Sequence, residues 1–198
     1  MKGTFKVCLL ALIILILVSM PILAKKPIGV EYEIYNIKDM SYSSAKRYKV
    51  SVTIKGEPTP KELKKICRIV KDKIKDKHSF NAITIGMYDY KEFVSSGGHA
   101  LGSVDYAPYG EWGKANKIST GEYSKMEFKW NIKEKDWSKQ LTEREAKIYG
   151  YFANLLWNSN LKESVIKTKT ANEFDISEKR VKEIYDKQTI WIYMDKKD

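Results

Sequence analysis

From Tyr48 to Ile54 apolar and polar positions alternate: Val50, Val52 and Ile54 fall on one face, Ser51 and Thr53 on the other. That period of two predicts a half-buried β-strand. Val30–Ile37 predicts an earlier strand, and the polar stretch Lys38–Lys46 between them suits a hairpin loop. After Gly56-Glu57-Pro58 the period changes. Leu63, Ile66, Cys67, Val70 and Ile74 recur at helical spacing behind Thr59-Pro60-Lys61-Glu62, which predicts a helix to about Lys77. The Thr–Glu spacing is that of a capping box, and proline at the first helical position sacrifices only an N–H that has no helical partner. Ala82–Asp89, Gly98–Tyr106 and Glu122–Ile132 predict three more strands. In the last, Met126, Phe128, Trp130 and Ile132 oppose Lys125, Glu127, Lys129 and Asn131. The prediction is an α+β fold: an antiparallel sheet of about five strands in the order ββαβββ, packed by one helix.

Beyond Ile132 the pattern turns helical. Thr142-Glu143-Arg144-Glu145 is a second capping box, opening a helix to about Asn158. Further helices are predicted over 162–174 and 178–187, and Thr189–Met194 as a short strand. This segment, residues 133–198, is read as a helical extension of an α+β domain spanning residues 25–132.

The run Val7–Leu23 has no polar periodicity at all. Twelve of its residues are Leu, Ile or Val, none is charged, and lysines flank it at 2, 6, 25 and 26. These residues favour insertion into a bilayer by roughly 4–7 kcal/mol. The length sits at the lower limit for a spanning helix, Pro21 breaks it, and small Ala24 follows. Residues 1–24 therefore read as a signal peptide cut after Ala24, with a retained membrane anchor as the alternative. The expected location is extracytoplasmic, secreted or anchored. Removing the leader also removes Cys8, leaving Cys67 without an intramolecular disulfide partner. Its expected role is that of a small buried hydrophobe.

Phe80-Asn81-Ala82, Tyr106-Ala107-Pro108 with Gly110 and Trp112, and Thr120-Gly121-Glu122-Tyr123-Ser124 occur in that order. In these motifs the chain resembles a prokaryotic domain family of unknown function, over about Tyr48–Ile132. The resemblance implies one compact domain and carries no activity.

Hydrophobic residues make up 43% of the chain and charged ones 31%, which suits a packed core and a solvated surface. Charge narrows the function further. The formal net charge is +11, and Lys61–Lys77 alone holds 8 basic and 3 acidic residues. Lys61, Lys64, Arg68, Lys71 and Lys75 share one side of the predicted helix, away from its apolar stripe. They are the candidate binding residues, for anionic lipid, a wall polymer or an acidic protein. Catalytic chemistry has little to start from. Histidines are His78 and His99, and no zinc spacing, calcium loop or phosphate-binding loop occurs, so no metal or cofactor is expected. The leading expectation is a non-catalytic binding module at the cell envelope. The alternative is an exported hydrolase with a site near His99 and Asp105, drawing on Ser95 or Ser96. A third reading is a helix-turn-helix nucleic-acid binder built on Ala171, Ile176, Ser177, Val181 and Ile184, with Asp175 where glycine is usual. Residues 133–187 hold 12 basic and 10 acidic residues, too balanced a charge for a phosphate-bound helix, which weighs against nucleic acid as a partner.

Overall fold

The structure is a computed structural model of the chain, describing residues 29–95 and 98–193. The Val7–Leu23 run and the expected cut after Ala24 lie outside the described residues. Among the described residues no helix is long and apolar enough to cross a membrane.

The fold is α+β. Strands β1 (Tyr32–Asp39), β2 (Arg47–Ile54), β3 (Ala82–Tyr88), β4 (Gly102–Pro108) and β5 (Met126–Ile132) form one sheet in the order β1-β2-β3-β4-β5. Helix α1 (Pro60–Lys75) joins β2 to β3. Helices α2 (Glu143–Asn158), α3 (Glu163–Phe174) and α4 (Glu178–Tyr193) follow the sheet. Short 3₁₀ segments at Lys91–Phe93, Trp112–Lys117 and Trp137–Lys139 interrupt the simple ββαβββ succession.

The sheet is mixed, which corrects the antiparallel expectation. β2 and β3 pair in parallel, while the β1–β2, β3–β4 and β4–β5 pairs are antiparallel. The reason lies in the connection. A strand adjacent to its predecessor can run parallel to it only if the chain crosses back over the sheet, and α1 is that crossover. Its stripe of Leu63, Ile66, Cys67, Val70 and Ile74 is buried against a core that includes Val50, Val52, Ile54, Ile83, Ile85 and Met87. β3, at the centre, is buried on both faces except at Thr84.

Both capping boxes form. The Glu62 N–H donates to Thr59 Oγ1 at 3.3 Å and the Thr59 N–H to Glu62 Oε2 at 2.9 Å. Thr142 and Glu145 repeat the arrangement at 3.3 and 2.8 Å. Cys67 is buried, donates to Met87 Sδ at 3.4 Å, and has its thiol pushed up to about 12 by burial, as a core residue would.

The end of the chain also departs from expectation. Thr189–Tyr193 is the last turn and a half of α4, where a short strand was expected. Trp191 and Ile192 enter the same core as α1 and the sheet. Trp191 Nε1 donates to Asp89 Oδ2 at 2.8 Å, and the Nζ groups of Lys135 and Lys133 donate to the carbonyls of Trp191 and Ile192. Two cations thus meet terminal carbonyls of a helix, where its dipole is negative. Local alternation at Thr189–Met194 suited a strand, but α4 continues through Tyr193 and carries Trp191 onto Trp137 and Asp89.

Candidate functional site: a basic and aromatic band between α1 and β5

α1 lies over β2 and β3, so one flank looks across β4 and β5. There the even positions of β5 project Phe128 and Trp130, and Tyr106 of β4 stands opposite Phe128. The Tyr106 and Phe128 rings are 4.6 Å apart, and Phe128 and Trp130 stack at 4.7 Å. Tyr123, in the turn before β5, extends the row through Phe80. All four rings are half-buried.

The candidate cations come down onto these rings. Lys64 Nζ lies 5.8 Å from the Trp130 centroid. The Arg68 guanidinium lies 5.3 Å from Trp130 and 6.0 Å from Phe128. Lys71 Nζ is 5.6 Å from Tyr106, and Lys75 Nζ is 4.4 Å from Tyr123. Spacings of four, three and four residues put these cations in one row, and Lys61 continues it, exposed, on the first turn. Lys71 also pairs with Asp72. The arrangement is therefore not a bare solvated face. Lys64, Arg68, Lys71 and Lys75 each sit near the negative face of a ring, and their stems cover apolar surface. The five basic positions were legible in the sequence. The rings beneath them were not, because β4 and β5 meet α1 only through the crossover.

The motif residues serve the scaffold that holds this band. Asn81 accepts from the Lys46 N–H and the Thr120 hydroxyl, both at 2.8 Å, and donates to the Ile118 carbonyl at 2.8 Å. The Phe80 N–H donates to the Tyr123 hydroxyl at 3.4 Å. Phe-Asn-Ala and Thr-Gly-x-Tyr-Ser thus close on each other and fix Tyr123. Tyr109 and Gly110 take φ of 56° and 70° in the turn after β4, and Trp112 packs on Ala45, Ala82, Ala107 and Ala115.

The hydrolase residues come only partly together. Asp105 faces Thr84 across β3 and β4 and accepts from its hydroxyl at 2.5 Å. The His99 ring lies on Gly86: a Cβ there would stand 2.5 Å from His99 Cδ2 and would push the ring away. Burial, with Lys49 and Lys133 nearby, depresses the imidazole to about 4. Its Nε2 is buried and meets no hydrogen-bond partner among the described residues. Ser95 is exposed, and Ser96 lies outside the described residues.

Asp89, at the carboxyl end of β3, is buried and lines a cleft of about 560 Å³. Clefts at the carboxyl ends of parallel strands are common ligand sites. Here lysines 55, 91 and 147 alternate with glutamates 33, 92 and 143 around it, so the lining selects no sign of charge. Asp89 Oδ2 is committed to Trp191 and, at 3.1 Å, to Gln140. Burial pushes its carboxyl up.

The helix-turn-helix spacing does build a tight helix pair. Asp175 takes the left-handed conformation at the turn (φ 50°), and Ile166, Ala171 and Val181 pack with Phe152. Three of the four cations of α4 are committed within the protein: Arg180 to Glu145 and Glu183, Lys187 to Glu145, Lys182 to Asp186. Phosphate binding needs cations free to displace counterions. Among the described residues no group of acidic, histidine and cysteine side chains is placed to hold a metal ion.

The basic and aromatic band lies on one flank of an α+β domain, beside an open sheet edge. The chain matches no known protein family, no curated protein and no solved structure.

Proposed function

We propose that this protein is a non-catalytic binding module at the extracytoplasmic face of a membrane, and that the band of Lys61, Lys64, Arg68, Lys71 and Lys75 docks on anionic lipid. The observation that carries the reading is the interleaving of those cations with Tyr106, Tyr123, Phe128 and Trp130. Lysine and arginine beside aromatic rings suit a headgroup layer, where cations meet phosphate and amphipathic rings sit at the interface. The leader supports lipid over a wall polymer or an acidic protein. If it is retained, the eight residues from Ala24 to Tyr32 span at most about 29 Å, which keeps the domain against the bilayer. A tether plus a polybasic patch is the two-signal arrangement that holds a domain on a membrane.

The test is co-sedimentation of the chain beginning at Lys25, which retains every described residue, with phosphatidylglycerol and with phosphatidylcholine vesicles. Binding is expected only to the anionic vesicles, and it should be lost near 1 M salt, where the screening length falls to about 3 Å. The triple variant Lys64→Gln, Arg68→Gln, Lys71→Gln removes about 1 kcal/mol per cation, a loss of about a hundredfold. Because these side chains also cover rings, the variant should melt slightly lower while unfolding cooperatively. Binding to wall material or to an acidic protein but not to vesicles would replace the lipid reading. Indifference to every anionic surface at low salt would remove the band as a site.

A further inference from the structure

β1 and β5 are the two edges of the sheet, and they are finished differently. The β1 edge is blunted by a bulge, since the register against β2 slips between Ile34 and Asn36. β5 has no bulge and no proline, and its register against β4 is unbroken from Met126 to Ile132. Among the described residues no strand lies beyond it. The hydrogen bonds at its two ends show which backbone groups look outward. The Tyr109 N–H donates to the Lys125 carbonyl at 2.9 Å, and the Lys133 N–H to the Leu101 carbonyl at 3.3 Å. In an antiparallel ladder bonded residues alternate, so the odd-numbered residues of β5 turn to β4. The N–H and C=O of Phe128, Trp130 and Ile132 and the C=O of Met126 point to the open edge, while the Met126 N–H donates to the Tyr123 carbonyl at 3.2 Å.

We infer that the occupant of this edge is the β5 of a second copy of the chain, paired antiparallel about a two-fold axis at Phe128. Outward-pointing residues must pair with outward-pointing residues, which leaves registers that differ by steps of one residue in the position of the axis. With the axis at Phe128, Glu127 stands opposite the second copy's Lys129 and Lys129 opposite its Glu127. Phe128 then faces Phe128, and Met126 faces Trp130, a thioether against an aromatic ring. With the axis moved to Glu127, two glutamates oppose each other and Lys125 faces Lys129. With the axis at Lys129, two lysines oppose each other. Directly opposed like charges destabilise a strand pair and opposite charges stabilise it. Charge therefore selects the Phe128 register over both neighbours. Glu127 and Lys129 are exposed, on the sheet face away from α1. The paired strands exchange about four backbone hydrogen bonds, two between the facing Phe128 residues and one from each Trp130 N–H to the other copy's Met126 carbonyl. Both α1 helices lie on the same face of the merged sheet, so their basic and aromatic bands adjoin, and a ligand surface meets two bands at once.

The inference does not depend on lipid as the ligand. The residues that set the register lie on the opposite face from the cations, so a monomer can still dock. The experiment is sedimentation equilibrium of the chain beginning at Lys25 and of three variants: Glu127→Lys, Lys129→Glu and both together. A concentration-dependent monomer–dimer equilibrium is expected. Each single variant opposes like charges twice and should weaken dimerisation about tenfold or more. The double variant restores both opposite pairs and should return the dimer. Circular dichroism and thermal melting keep the reading clear: Glu127 stands opposite Ala107 in β4, so Glu127→Lys should leave the fold intact, while Lys129→Glu meets Asp105 across the ladder and should melt slightly lower but still fold. A wild-type chain that stays monomeric at millimolar concentration would overturn the inference. So would single variants that dimerise like wild type, or a double variant that does not recover.

Discussion

At the residue scale His99 shows how a neighbourhood overrides a side chain's ordinary chemistry. Its ring fills the space left by Gly86 and stacks edge-on to Tyr88 at 5.4 Å. Burial and two lysines keep it neutral down to about 4. An unfolded chain takes up that proton near pH 6.5, so falling pH favours unfolding. The stability contributed is fully present above about 6.5 and is lost as pH falls toward 4. After discounting for partial exposure of the ring, the loss is about 2 kcal/mol. His99→Gln should flatten the fall in urea-unfolding free energy between pH 7 and pH 4.5. An unchanged slope would place the acid sensitivity elsewhere. None of this was visible in the sequence, where His99 read as the histidine of an alternative hydrolase site.

At the element scale the two capping boxes were read from four residues each, and both form because their geometry is local. The structure adds what lies beyond the second box. Glu145 caps α2 and also receives Arg180 at 2.6 Å and Lys187 at 3.0 Å from α4. Burial pushes its carboxyl up, but the Thr142 N–H and Lys187 outweigh that and hold it below its ordinary value. Its contribution is therefore present above about pH 4.5 and is lost as pH falls below that. Glu145→Ala should cost about 2–3 kcal/mol at neutral pH, since it removes a cap and both ion pairs of a buried carboxylate. Thr142→Ala should cost only about 1 kcal/mol, through the cap alone. Equal losses in chemical denaturation would mean that the contacts to α4 contribute nothing.

For the whole molecule the question is whether the C-terminal helices fold with the sheet or beside it. Trp191 and Ile192 share the core of α1 and the strands, while Tyr88 of β3 shares a second cluster with Phe93, Ile148 and Ile184. Clusters that draw on both segments predict one cooperative unfolding transition, with tryptophan fluorescence and far-ultraviolet circular dichroism coinciding. Trp191→Ala should cost about 3–5 kcal/mol by opening a cavity, and it also removes a donor from buried Asp89. Two separated transitions in the wild-type chain would show that the extension folds by itself.

What the sequence determined by itself was what neighbours along the chain decide: the apolar stripe of α1, the two capping boxes, the alternation of β5, and the row of Lys61, Lys64, Arg68, Lys71 and Lys75. Periodicity and capping depend on residues only a few positions apart, so they survive without knowledge of the fold. The parallel pairing of β2 and β3 depended on where the crossover came to rest. Its trace in the sequence was faint: Ala82–Tyr88 is apolar almost throughout, as a strand covered on both faces must be. The rings under the cations, the clasp of Asn81 on Thr120 and Ile118, and the docking of Trp191 on Asp89 join residues 35 to 102 positions apart. Only the tertiary structure decided these, because contact between distant residues is set by how the layers pack and not by the order of the chain.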